Sequence, residues 1–124
     1  MTVLTKTSTF KRTVTAHIPD ENKLDATVEI KFIAEYESVD RNELDDMIAE
    51  GLSDKQLLNR VLKGVHEVEG DVQLRGDKGE ELTKEGRAEI VKLNIFAGAA
   101  TVREFFDAFG ADPKRKNSKT SPRR

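Results

Sequence analysis

The chain contains no cysteine, which excludes disulfide staples and thiolate metal sites and fits a reducing compartment. It has no tryptophan and only one tyrosine, so aromatic packing must come almost entirely from phenylalanine. No apolar run approaches the ~20 residues needed to cross a bilayer. The opening MTVLTKTSTFKR lacks the apolar core of a secretory leader. The expectation is a protein that stays in the cytoplasm where it is made and makes no membrane contact. Hydrophobic residues make up 36% of the chain and charged residues 35%, which describes a thin core beneath a strongly solvated surface.

Charge is unevenly spread. Residues 111–124 carry six of the 21 basic groups (Lys114, Arg115, Lys116, Lys119, Arg123, Arg124) and one of the 23 acids, Asp112. The 110 residues before them therefore hold 15 basic and 22 acidic side chains. This shift marks a boundary between body and tail. The reading is one domain over residues 1–110 followed by a disordered basic tail over 111–124.

The body opens with two period-two segments. FKRTVTAHI sets Phe10, Val14, Ala16 and Ile18 on one side, and DATVEIKFIAEYES does the same with Ala26, Val28, Ile30, Phe32, Ala34 and Tyr36. Such alternation predicts strands with one wet face, and the polar PDENKL between them predicts an antiparallel hairpin. The period then changes. Asp40 with Glu43, and Ser53 with Gln56, form two capping-box patterns. The first opens a helix with Leu44, Met47 and Ile48 inside, closed by Gly51, with Val39 placed to staple against Leu44. The second opens KQLLNRVLKG, with Leu57, Leu58, Val61 and Leu62 as its stripe and Gly64 as its end.

VHEVEGDVQLRGDKGEEL reads as a small hairpin or extended arm, and TKEGRAEIVKLN as a helix despite Gly86, which costs about 1 kcal/mol relative to alanine. The last helix is capped by Asn94, stopped by Gly110 and kept from resuming by Pro113. At 100° per residue, Ile95, Ala99, Val102, Phe105, Phe106 and Phe109 fall within an arc of roughly 120°. The fold class is α+β: an amino-terminal antiparallel hairpin packed on three to four helices.

Chemistry finds little foothold. His17 and His66 have no H-x-x-x-H spacing and no nucleophile motif around them, and His17 sits on the polar side of its strand. The adjacent acids Asp45-Asp46 and Glu80-Glu81 diverge on a helix or strand and make poor acid–base pairs. No calcium-loop spacing is present. GDKG at 76–79 reads as a plain turn, because acids follow it and a strand precedes it. No catalytic, cofactor or metal residue is assigned. Two features remain for partners: the stripe of Val102, Phe105, Phe106 and Phe109, either core or docking face, and the tail residues Lys114, Arg115 and Lys116. A basic tail can grip a polyanion, but this one has no aromatic residue for stacking and its body is acidic.

The order of these elements resembles a known family. A two-strand start, a D-x-x-E capped helix, DKQLLNRVLKGV, the acidic arm HEVEGDV, GEELTKEG and finally VREFFDAF are similar to the small tail assembly chaperones of long-tailed bacteriophages. The likeness runs from about Asp25 to Phe109 and rests on apolar spacing and acidic turns. One departure is that Val65 follows Gly64 where relatives often carry an aromatic.

The resemblance implies a non-enzymatic protein that binds the tape measure protein and keeps it soluble while tail tube subunits assemble around it. It implies a place in the host bacterial cytoplasm and absence from the mature virion. It further implies a frameshifted longer form as a partner, and RKN at 115–117 is compatible with an A-AAA-AAC slip site. Self-association into a homo-oligomer is a further expectation. The rival readings are a structural tail or head–tail joining protein, and a small nucleic-acid-binding regulator that uses the basic tail.

Overall fold

A computed structural model of the protein describes residues 8–110. The expectations attached to residues 111–124, including those for Lys114, Arg115 and Lys116, lie outside the described residues.

The alternating segments form strands β1 (Thr9–Pro19) and β2 (Thr27–Glu37), paired antiparallel with Val14 opposite Phe32 and Phe10 opposite Tyr36. The inner face is the one the period-two pattern names, except at Val28, which is left 42% exposed. Val14, Ala16, Ile30, Phe32, Ala34 and Tyr36 are buried. Helix α1 (Arg41–Glu50) and helix α2 (Asp54–Val61) follow, each opened by the capping box expected from its sequence. Gly51 ends α1 in the left-handed region at φ 63°, which glycine adopts without Cβ strain. Leu44, Met47, Leu57, Leu58 and Val61 join the core.

The helix read through Leu62 to Gly64 stops at Val61, and Leu62–Glu67 forms a third strand, β3, antiparallel to β2 in the order β1-β2-β3. Leu62 keeps its place in the core, but by strand geometry, and Val65 joins it. A register shift between Glu35 and Tyr36 absorbs the abrupt change from helix to strand. Gly64 is thus a strand residue, not a helix stop. A Cβ there would lie 2.8 Å from Cδ of Lys84, so only glycine lets the lysine cross the sheet at this point.

The first three residues of the predicted arm, Val65–Glu67, belong to β3, and the rest is irregular except for one bridge, Arg75 to Glu81, around the turn at Gly76–Gly79. Helix α3 (Lys84–Leu93), capped by Thr83, packs along β3. Helix α4 (Ile95–Phe109) packs on β1 and against α2 and α3, and it ends at Gly110 with φ 66°. The described residues form an α+β fold with a three-stranded antiparallel sheet and four helices around one hydrophobic core.

Candidate docking surface

The two ends of α4 present apolar side chains in opposite ways. At the carboxyl end, Phe105 is fully buried. Its ring centroid lies 5.4 Å from Tyr36, 5.5 Å from Phe106, 5.1 Å from Phe109 and 6.4 Å from Phe10. Phe109 meets Phe10 edge-on at 5.6 Å. The Tyr36 hydroxyl donates to the carbonyl of Thr101 at 2.7 Å, which satisfies the one polar atom in the cluster. Burial raises the phenol pKa far above its ordinary value.

Of the four residues proposed from sequence as a contact strip, Phe105 is therefore wholly interior. Val102, Phe106 and Phe109 are partly buried and packed against the core. The structure brings the four together as the wall of the core, with only their edges reaching solvent.

The amino end of α4 differs. Asn94 alone joins α3 to α4. Its N–H closes α3 by donating to the carbonyls of Ile90 and Val91, and its side chain accepts from the Ala97 N–H at 2.9 Å. With no loop to spread the turn, the apolar residues on either side cannot all face inward. Ala97 and Gly98 take the buried positions. Leu93, Ile95 and Phe96 are left 69%, 81% and 48% exposed.

Ile95 belongs to the predicted apolar arc yet is exposed, and Leu93 and Phe96 fall outside every stripe read from the sequence. The buried stripe of α4 consists of Ala97, Gly98, Thr101 and Phe105, rotated by about 90° from the arc drawn through the larger residues. The missed signal is LNIF itself. Three large apolar residues around a cap occupy too wide an angle for a single face.

Beside this corner lies a shallow groove of about 360 Å³, walled by the start of α2 (Ser53, Asp54, Lys55) and by Ile95, Gly98 and Ala99. Exposed Asp54 and Lys55 give it a mixed-charge rim. An apolar floor with a polar border is the arrangement that grips an amphipathic helix.

A second cluster occupies the other face of the sheet. The Glu35 carboxylate lies 3.0 Å from Nε2 of His66 and 3.2 and 3.3 Å from Nζ of Lys84, with Glu35 only 8% exposed. The hydrogen bond with His66 holds the carboxyl below its ordinary range, burial opposes this, and Lys84 adds to the lowering. Next to it Glu67 accepts from the Leu74 N–H at 2.7 Å and pairs with Arg75, while Arg87 donates to the Val65 carbonyl at 3.0 Å. These contacts fasten α3 and the loop that precedes it to β3. The Arg87 guanidinium is only partly engaged, because its Nε is buried without a hydrogen-bond partner among the described residues.

His17 is exposed, 3.4 Å from Glu29. Among the described residues no group of His, Asp and Glu side chains is placed to hold a metal ion. Compared with protein-family models, with curated proteins and with solved structures, the chain matches none of them.

Proposed function

We propose that this chain is a phage tail assembly chaperone, which covers apolar helical surface on a tape measure protein until tube subunits replace it. The observation that carries the reading is the exposed triad Leu93, Ile95 and Phe96 beside a mixed-charge groove. A small domain with a thin core gains nothing in stability from leaving three large apolar side chains in water. Each would contribute about 1.5–3 kcal/mol if fully buried, so contact with a partner is what makes the arrangement favourable. The element order and the acidic body agree with this reading but do not add a second argument.

The mechanism involves association only. An amphipathic helix of the tape measure protein lays its apolar face on Leu93, Ile95 and Phe96, and its polar flanks meet Asp54 and Lys55. A single contact of this size is weak. Many copies along one long chain give coverage in series, and each is displaced as tube subunits compete for the same surface.

Co-expression tests the reading. With the wild-type chain present, the tape measure protein should shift from the pellet to the soluble fraction, and mass spectrometry of purified virions should not find the chain. Stoichiometric incorporation into particles would instead assign it to the tail or the head–tail joint.

A further inference from the structure

The two edges of the sheet are treated differently. On the β3 side, Arg87 donates to the Val65 carbonyl, and Glu67 takes up Leu74 and Arg75. Where β3 ends, Asp71 accepts the N–H of Lys31, an outward backbone group of β2, at 2.8 Å. Side chains and α3 thus occupy part of that edge. The β1 edge runs for 11 residues, about twice the usual strand length, and among the described residues no strand lies beyond it.

The register states which backbone groups that edge presents. Ser38 donates to the Ser8 carbonyl, and Asp20 donates to the Ala26 carbonyl. Both are partners in the same unbroken register that pairs Thr9 with Glu37. Hydrogen-bonded pairs alternate along an antiparallel ladder. Even-numbered residues of β1 therefore turn their N–H and C=O toward β2, and Thr9, Lys11, Thr13, Thr15 and His17 turn theirs outward. Their side chains are exposed on the outer face, while α4 holds the inner face through Phe10 and through the Arg12–Glu104 ion pair.

Natural edges of this length are usually blunted by several charges, a bulge or an internal proline. Here the outward positions hold three threonines, one lysine and one histidine, and Pro19 stands only at the end.

We infer that this edge pairs with β1 of a second copy, antiparallel about a twofold axis at Thr13, to give one continuous six-stranded sheet. The register follows from the residues. With Thr13 opposite its own copy, Lys11 faces Thr15 and Thr9 faces His17, so no like charges oppose each other and every outward group has a partner. Slipping one step toward the hairpin sets Lys11 against His17 and brings Pro19, which has no N–H, into the ladder. Slipping the other way carries His17 past the end of the strand. Facing threonines are themselves favourable cross-strand pairs. This inference is independent of the docking reading, since the β1 edge and the Leu93 corner are different surfaces.

The test uses the full chain. Sedimentation equilibrium should give twice the 13.9 kDa chain mass. Thr13→Pro removes an outward N–H without touching the β1–β2 ladder, so the variant should keep the wild-type circular dichroism and become monomeric, with at least a tenfold weaker dimer. Thr13→Cys, the sole cysteine in its chain, should form a disulfide dimer under mild oxidation, because residues of a hydrogen-bonded pair lie about 5.5 Å apart at Cα. Thr9→Cys should not, as its two copies would sit about 27 Å apart along the strands. The cross-linking pair decides the matter even if Thr13→Pro fails to fold. A monomeric wild-type chain at about 100 μM, a dimer that folded Thr13→Pro leaves intact, or a Thr13→Cys chain that does not cross-link would overturn the inference.

Discussion

The two ends of α4 are comparably apolar and meet opposite fates. Phe105, Phe106 and Phe109 close the core against Phe10 and Tyr36, while Ile95 and Phe96 stand in solvent beside Leu93. The difference lies in what surrounds each end. The carboxyl end meets a strand pair that supplies two aromatic rings of its own. The amino end leaves a one-residue corner at Asn94, where small Ala97 and Gly98 pack inward against α2 and α3. Apolar content alone therefore does not separate core from exposed surface in this chain. The geometry of the neighbouring element does.

Substitutions can break that contrast, beginning with its buried side. Phe105→Ala should cost about 3–5 kcal/mol, because the aromatic cluster cannot collapse around the hole. Urea unfolding would show a lower midpoint at an unchanged slope. Tyr36→Phe keeps the rings packed and removes only the hydroxyl donated to Thr101, so a loss of about 1 kcal/mol is expected in the same assay.

The Glu35 clasp predicts a pH dependence. Its carboxyl is lowered in the folded state from an ordinary value of 4.5. The stabilisation is therefore complete above that value and fades as pH falls through the lower folded value. Glu35→Gln should flatten the acid limb of a stability-against-pH curve while lowering stability near neutrality. An unchanged acid limb would show that the clasp does not contribute.

The exposed side of the contrast should respond least in stability. Leu93→Lys together with Ile95→Glu places charges that suit the two helix ends, and stability should stay within about 0.5 kcal/mol of wild type.

What the sequence disclosed follows the same division between local and distant causes. Asp40 with Glu43, Ser53 with Gln56, Asn94, Gly51 and Gly110 act through neighbours three or four residues away, and all of them cap as read. The inner face of the hairpin was equally legible, since alternation needs no knowledge of the partner.

Strand β3 was not. Leu62 continues the helical stripe of Leu57, Leu58 and Val61, and only pairing with Ala34 and Tyr36 of β2 turns that segment into a strand. The exposed corner was hidden for a related reason. Side-chain size drew the arc of α4 through Ile95 and the phenylalanines, whereas the stripe that faces the core is built on Ala97, Gly98 and Thr101. Small residues mark where helices approach closely, and a hydrophobicity count gives them little weight.

The Leu93→Lys, Ile95→Glu double variant, co-expressed with the tape measure protein, tests the central claim most directly. The account predicts a chain with wild-type circular dichroism and melting temperature beside a tape measure protein that returns to the pellet. A tape measure protein that stays soluble with this folded variant would contradict it.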